Sequence, residues 1–279
     1  MKVVVVPVAN LNIIILDLLN SGSHLHTPSN IIQSIRKHRP YFSSSQIRSS
    51  IKQLIEDGAI TYSHRFSISH LEPAFKQSLS ITPRLTLCHE DSISKSAQTP
   101  DAVVLASGTA FGVGDHPTTR LSLEAVDFCL QKLASDKDIS ATKALDIGTG
   151  SGVLAIAAVY LGMGSAVGID TDPSALGEAT KNVALNQFED RIHLFKGDLE
   201  AVTSERFDLI MANMRPPTLR RLFPMMHSLT GKGGLWILSG FRPESIQGLL
   251  AHPTIGTNRL LWCKSKNNWS AVVIQMDEF

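Results

Sequence analysis

The chain has few cysteines, almost no net charge and no long apolar run. Its 279 residues include 3 cysteines, and 26 Lys and Arg against 25 Asp and Glu leave a net charge of +1. The three cysteines, Cys88, Cys129 and Cys263, lie far apart, which excludes a disulfide framework and a cysteine-based zinc site. We therefore expect no metal. The near balance of charge excludes a global electrostatic attraction to a polyanion.

No segment reaches the roughly 20 consecutive apolar residues that cross a bilayer. Residues 1–9 begin with an apolar run, but it is short, is interrupted by Pro7 and lacks a small-residue cleavage site, so we interpret it as a strand or arm. We expect a cytoplasmic protein without a membrane partner. With 43% hydrophobic residues, the chain can bury one full α/β core and a smaller second domain.

A glycine-rich string occupies residues 145–154, Leu-Asp-Ile-Gly-Thr-Gly-Ser-Gly-Val-Leu, between an apolar run and an alanine-rich stretch. This strand–turn–helix pattern predicts a loop that binds a phosphate or a nucleoside, with Gly148 and Gly150 close to the ligand. The next apolar run ends in Asp170, 22 residues after Gly148, where a carboxylate can bind both hydroxyls of a ribose. The sequence therefore predicts a nucleoside site.

The spacing of this string decides between nucleosides. A dinucleotide fingerprint needs glycine or alanine at position 153, because the helix there packs closely and the pyrophosphate approaches its end. Val153 occupies that position instead. The G-x-G-x-G form preceded by Asp146 suits S-adenosylmethionine, which has no pyrophosphate and carries an ammonium and a carboxylate. We predict this cofactor, with Asp146 among its contacts.

Strands and helices alternate regularly from residue 144 onward, which is typical of a doubly wound, largely parallel sheet. The predicted strands are 144–147, 165–169, 191–195, 207–212, 234–238, 259–264 and 270–276, and the predicted helices are 118–133, 153–161, 173–186, 217–228 and 243–251. A turn of sequence Ser-Lys-Asn-Asn joins the last two strands, so we expect them to pair antiparallel. The fold class is α/β, Rossmann-like, with seven strands.

Ligands of such sheets bind beyond the carboxyl ends of the strands. Asp198 follows one strand and is expected to accept a hydrogen bond from the adenine amine; the alternative is a solvated turn acid. Asn213 ends the next strand and is the candidate catalytic residue, because its amide oxygen can hold an amine; the alternative is a structural strand-end residue. Thr119 can reach the methionine end of the cofactor, and the ring of Phe111 can cover the sulfonium.

Residues 110–119, Ala-Phe-Gly-Val-Gly-Asp-His-Pro-Thr-Thr, form the most specific motif of the chain. With residues 146–152, 168–173, 207–213 and 238–240, the motif resembles the ribosomal protein L11 methyltransferases, a family of class I S-adenosylmethionine enzymes. The similarity runs from about Leu105 to the C-terminus.

The resemblance to this family implies a class I methyltransferase sheet, S-adenosylmethionine as cofactor and methylation of a protein amine, with a ribosomal protein as one candidate acceptor. It places cofactor contacts at Thr119, Gly148, Asp170 and Asn213. We add Gly112, beside Phe111, to the expected contacts. Residues 213–217, Asn-Met-Arg-Pro-Pro, depart from the small apolar residues usual in the family. Two alternatives stay open: a nucleic-acid methyltransferase, and a cofactor-sensing DNA-binding regulator without turnover.

The N-terminal region does not look like the family's usual substrate-recruiting domain. Three helical patterns and a hairpin pattern, 59–62 with 66–68, resemble a winged helix, and residues 43–65 carry side chains that suit a nucleic-acid groove. Residues 1–75 hold seven basic against four acidic residues. We predict a recognition domain over 1–78, a linker and β-hairpin (84–88 with 102–105) over 79–104, and a cofactor-binding domain over 105–279.

Overall fold

The computed structural model describes residues 11–20, 26–57, 59–65, 68–73, 78–90, 101–106, 116–202, 205–256 and 259–276. The chain forms two compact units, Met1–Lys76 and Gln77–Phe279. The expected arm over residues 1–9 and the expected cofactor contacts Phe111 and Gly112 lie outside the described residues.

The first unit contains three helices followed by a pair of antiparallel strands. These are α1 (Leu11–Asn20), α2 (Pro28–His38), α3 (Ser44–Glu56), β1 (Ile60–Arg65) and β2 (Ile68–Pro73). A capping box starts α3: the Ser43 hydroxyl accepts from the Gln46 backbone, and the Gln46 side chain accepts from the Ser43 N–H. The order of elements matches the sequence pattern, although β2 begins and ends later than expected. The resemblance to a winged helix stays a prediction.

The second unit begins with a three-stranded sheet made of β3 (Leu79–Thr82), β4 (Leu85–His89) and β5 (Val103–Leu105). The prediction that segments 84–88 and 102–105 form a hairpin is wrong. The two segments do pair, but in parallel, and parallel neighbours cannot be joined by a tight turn. The tight turn lies at residues 83–84, between β3 and the antiparallel β4.

A seven-stranded sheet forms the body of the second unit. Its strands are β6 (Lys143–Ile147), β7 (Ser165–Asp170), β8 (Ile192–Lys196), β9 (Phe207–Asn213), β10 (Thr230–Phe241), β11 (Arg259–Lys266) and β12 (Trp269–Gln275). The spatial order is β11-β12-β10-β9-β6-β7-β8. Strands β6 to β10 run parallel, and β12 pairs antiparallel with both β10 and β11. The predicted α/β class and seven-stranded sheet are confirmed.

The described residues of this unit form five α-helices: α4 (Pro117–Asp136), α5 (Val153–Tyr160), α6 (Pro173–Leu185), α7 (Pro216–Leu229) and α8 (Ile246–Leu250). Pro117, Pro173 and Pro216 each occupy a first helical turn, where a missing N–H costs nothing. The predicted helix at 243–251 is a short 3₁₀ turn followed by α8. Among the described helices, none combines the length and apolar character needed to span a membrane.

The strand order reverses between β6 and β9. From β6 the chain adds β7 and β8 on one side, whereas β9 and β10 lie on the other side. Such a switch point leaves a crevice at the carboxyl ends of the strands, which is where α/β sheets bind ligands. Large side chains such as Phe207, Phe223 and Trp236 are fully buried against these strands and hold the sheet rigid beneath the crevice.

An ion pair links the turn between β3 and β4 to α4. The Arg84 Nε donates to Asp127 Oδ1 over 2.7 Å, and its Nη2 donates to the Asp127 backbone oxygen over 3.2 Å. The Asp127 side chain is 5% exposed, against 44% for Arg84. The carboxylate therefore depends on Arg84 for its charge compensation.

We expect Arg84→Ala to lower the free energy of unfolding by about 2 kcal/mol, because it leaves a buried carboxylate without its partner. The control is Lys132→Ala, which removes an exposed pair with Asp136 on the same helix and should cost less than about 0.5 kcal/mol. Urea unfolding followed by circular dichroism measures both. Equal losses in the two variants would contradict the role given to Arg84.

Candidate active site

Backbone hydrogen bonds hold the glycine loop against the end of the neighbouring strand, β7. The N–H groups of Gly148 and Thr149 both donate to the Ile169 backbone oxygen, over 2.9 and 3.0 Å. Gly148 has φ +67°, and a Cβ atom there would overlap the terminal methyl group of Met214. Only glycine fits this position, and the Met214 side chain borders the loop.

Asp146 lies at the end of β6 and is 1% exposed. Its Oδ2 accepts from the Thr149 hydroxyl over 2.7 Å, and its carboxylate also accepts from the Ala155 backbone. Burial raises the pKa of Asp146 to about 7, those hydrogen bonds oppose the rise, and the charge of Asp170 adds to it. The structure thus gives Asp146 two partners within the loop and the first turn of α5. Its contact with the cofactor stays a prediction.

Asp170 ends β7 and faces the glycine loop. Its Oδ2 accepts from the Gly150 N–H over 3.0 Å, and its Oδ1 accepts from the Asp172 N–H over 3.0 Å. The Gly197 N–H donates to the Asp170 backbone oxygen over 3.0 Å, which brings the turn carrying Asp198 alongside. These contacts place Gly148, Gly150 and Asp170 together, as a nucleoside site needs.

Asp198 is exposed on the β8 side of this group. Its Oδ1 accepts from the Glu200 N–H over 3.1 Å, so the carboxylate organises its own turn. The second carboxylate oxygen is left for a ligand such as an adenine amine. That contact stays a prediction.

Asn213 ends β9, across the switch point from β7. Its Nδ2 donates to the Thr118 hydroxyl over 3.2 Å, and that hydroxyl is 2.7 Å from the His116 Nδ1 at the start of α4. The Asn213 Oδ1 is buried and has no hydrogen-bond partner among the described residues. A buried amide oxygen without a partner is costly, so this oxygen is a candidate acceptor for a donor from outside the described residues, such as a ligand.

Thr119 adds a second buried oxygen of this kind. The residue is 1% exposed in the first turn of α4, and its hydroxyl has no partner among the described residues. The residues therefore fit S-adenosylmethionine in two respects: two buried oxygens, at Asn213 and Thr119, have no partner among the described residues, and the glycine loop admits close backbone approach.

The loop after Asn213 is set by close backbone contact with β10. The Met214 N–H donates to the Ser239 backbone oxygen over 2.9 Å. Gly240 has φ +90°, and a Cβ there would lie between 2.7 and 2.9 Å from backbone atoms of Met214. Position 240 therefore requires glycine, and the motif at 238–240 fixes the residue that follows Asn213.

Sequence reasoning missed two residues that connect to Asn213 through His116 and Thr118. The ring of Trp269, at the start of β12, packs edge-on against the His116 ring with centroids 5.2 Å apart. The Arg242 guanidinium lies 5.4 Å from the centre of the Trp269 ring. The only sequence signal was position: Trp269 directly precedes the predicted strand 270–276, and Arg242 lies four residues after the predicted strand 234–238.

A family model for ribosomal protein L11 methyltransferase (PrmA) matches residues 71–277. The chain belongs to this family. The membership confirms the resemblance expected from residues 110–119 and 145–154. It also confirms S-adenosylmethionine as the cofactor that such a methyltransferase uses. Residues 1–70 lie outside the match.

Individual relatives carry the same name. The chain is 43% identical over 151 residues to the ribosomal protein L11 methyltransferase of Pelobacter propionicus, a match that covers 53% of this chain and 47% of that protein. It is 34% identical over 166 residues to the same-named protein of Heliobacterium modesticaldum, covering 60% of this chain and 50% of the relative. The chain thus matches about half the length of these relatives.

A solved structure shares the fold at greater length. The crystal structure of a ribosomal protein L11 methylase from Lactobacillus delbrueckii subsp. bulgaricus superposes with a TM-score of 0.60 at 28% sequence identity. The match covers 72% of this chain and 99% of that one. Almost the whole of that solved chain therefore has a structural counterpart in this protein.

The raised pKa of Asp146 predicts a pH-dependent stability. The folded protein binds a proton at Asp146 up to about pH 7, whereas the unfolded chain loses it near pH 4, so stability falls as pH rises through this window. Asp146→Asn removes the titration. The stability of the variant relative to the parent should rise by on the order of 2 kcal/mol between pH 5 and 8. Urea unfolding measures the free energy of unfolding of both proteins at each pH. A constant difference between the parent and Asp146→Asn from pH 5 to 8 would contradict the prediction.

Proposed function

We propose that the chain is an S-adenosylmethionine-dependent N-methyltransferase whose acceptor is a protein amine. The observation that carries the proposal is the buried Asn213 Oδ1, which has no donor among the described residues and lies across the switch point from the glycine loop. The names of the PrmA relatives support a ribosomal protein of the L11 kind as the first acceptor to test. A cytoplasmic location is in keeping with such an acceptor.

The residues around the loop would bind the cofactor, which supplies a methyl group on a positively charged sulfonium. Asp170 would hold the ribose hydroxyls, and Gly148 and Gly150 would present their backbone without side-chain obstruction. The Thr119 hydroxyl would reach the amino-acid end. Asp198 would accept from the adenine amine.

Two further residues, Phe111 and Gly112, would complete the cofactor site from the preceding motif. An aromatic face favours a cation, so the Phe111 ring suits the sulfonium. Gly112 would leave room for that approach. Both roles rest on the sequence motif at 110–119.

Asn213 would orient the acceptor. Methyl transfer by in-line displacement needs a positioned lone pair more than a strong base. The amide oxygen accepts one N–H of a neutral amine and so directs its lone pair towards the methyl group. A lysine enters this site neutral at lower cost than in water, because burial lowers the pKa of an amine. The proton that the amine loses leaves to solvent.

The first unit would select the acceptor, as a recognition domain over residues 1–78 with a linker over 79–104. Arg48 and Lys52 lie on the exposed face of α3, and Glu56 pairs with Lys52 over 3.6 Å. This local neutralisation favours a protein acceptor over a polyanion. The competing candidate, a nucleic-acid acceptor, rests on the resemblance of three helices and two strands to a winged helix.

A pair of variants separates acceptor orientation from cofactor binding. Asn213→Ala should lower kcat for methylation of purified ribosomal protein L11 by 100-fold or more, on the order of the loss seen when one positioned donor or acceptor is removed. Its affinity for S-adenosylhomocysteine should change only a few-fold. Asp170→Ala should instead weaken that affinity about ten-fold or more, because it removes charge-assisted hydrogen bonds.

Calorimetry measures the affinities, and transfer of a labelled methyl group measures kcat. If both variants bind the cofactor as the parent does, the ribose assignment fails. If Asn213→Ala keeps full kcat on an acceptor that the parent methylates, the proposed role of the amide fails.

The choice of acceptor class has its own test in Arg48→Ala combined with Lys52→Ala. We expect the parent chain to show no salt-dependent binding to duplex DNA or RNA, and the double variant to match it. The control is Lys37→Ala with Arg39→Ala, which removes the same charge from the last turn of α2 and the C-cap residue that follows it. Fluorescence anisotropy over a salt series measures binding. Parent binding that falls steeply with salt, with a slope reduced by about two phosphate contacts in the Arg48 and Lys52 variant only, would favour the nucleic-acid acceptor.

A further inference from the structure

Arg242 directly follows β10, at the same edge of the sheet as Asn213. The register pairs Ser239 with Asn213, so the chain beyond Ser239 passes beside the end of β9. The nucleoside-facing residues lie on the other side of the switch point, on β6 and β7. Arg242 therefore lies on the side of the crevice where the proposed acceptor enters.

A continuous set of contacts joins Arg242 to Asn213. The guanidinium lies 5.4 Å from the centre of the Trp269 ring, and that ring packs 5.2 Å from the His116 ring. His116 Nδ1 is 2.7 Å from the Thr118 hydroxyl, which accepts from Asn213 Nδ2 over 3.2 Å. This series of packed side chains connects Arg242 to the amide that would hold the amine.

The charge of Arg242 is not compensated by the part of the chain that the structure describes. The residue is exposed, and its described contact is with the Trp269 ring rather than with a carboxylate. Glu244, two residues further on, is exposed. A guanidinium held against an aromatic ring keeps its N–H edge available, and that edge matches a carboxylate in a bidentate arrangement.

We infer that Arg242 is a specificity-determining residue that binds an acidic side chain of the acceptor close to the amine to be methylated. The inference rests on the proposed function, because it assumes that a protein amine reaches Asn213. Held by Trp269, the guanidinium loses little conformational entropy when it pairs with a carboxylate. Arg242 acts on binding of the acceptor and takes no part in the transfer step.

The test uses two acetylated peptides, each with one lysine, that differ only in having glutamate or glutamine beside it. Binding to the full chain with S-adenosylhomocysteine present is measured by fluorescence anisotropy, without any need for turnover. We expect the parent to bind the glutamate peptide about ten-fold more tightly, the size of a typical charge-assisted pair. Arg242→Gln should reduce the preference to less than about two-fold, and Arg242→Lys should retain part of it.

Arg259→Gln is the matched control, since it removes an exposed arginine from β11 of the same sheet. Arg259 pairs with Gln275, which lies near the amino ends of the parallel strands, away from the crevice. It should keep the parental preference. With ribosomal protein L11 as acceptor, Arg242→Gln should raise KM and leave kcat within about two-fold, the pattern of a binding interaction.

Equal binding of the two peptides by the parent, absence of binding to either, or equal behaviour of the Arg242 and Arg259 variants overturns the inference. A preference of the parent for a phosphoserine peptide or an oligonucleotide that Arg242→Gln abolishes also overturns it, in favour of a phosphate ligand. Failure of the proposed function looks different: the parent then binds S-adenosylhomocysteine but transfers no methyl group to any protein amine.

Discussion

The site depends on the close approach of Met214 to two glycines, Gly148 and Gly240, where a side chain would occupy the same space. Its terminal methyl group occupies the space of a Cβ at Gly148, and its backbone occupies that of a Cβ at Gly240. Two missing side chains, on the loop after β6 and at the end of β10, thus let three strand ends converge. Asn213, one residue earlier, takes its position from this convergence. An alanine at Gly240 would displace the Met214 backbone and with it the amide, whereas an alanine at Gly148 would first displace the tip of the Met214 side chain.

Much of the second unit could be predicted because its signals are local. The alternation of strands and helices located β6 to β12 to within a few residues, except that β10 starts earlier than expected. The pairing of 84–88 with 102–105 was predicted in the wrong sense, because strand direction depends on the path of the intervening chain and not on either pattern. The roles of Arg242 and Trp269 could not be predicted for the same reason, because they also depend on the path of the chain. Their contact arises only when β12 returns antiparallel beside β10.

The start of the family match nearly coincides with the boundary between the two compact units. The match begins at residue 71, close to the division between the two compact units at 76 and 77. The unit with the glycine loop, Asn213 and Arg242 falls almost wholly inside the match. The three helices and the β1–β2 pair fall almost wholly outside it, so the part of the chain that would choose the acceptor is also the part least described by its relatives.

The Thr118 hydroxyl gives the amide of Asn213 a direction. The Thr118 backbone N–H donates to His116 Nδ1, so that nitrogen acts as an acceptor, and the single hydroxyl proton of Thr118 is available to the same atom. With its proton so used, the hydroxyl can only accept from Asn213, which turns the NH₂ group towards Thr118 and the buried carbonyl oxygen away from it. The lone pair of His116 Nδ1, two residues before Thr118 at the start of α4, thereby determines which way the Asn213 amide at the end of β9 is oriented. It does so through hydrogen bonds rather than through a charged group.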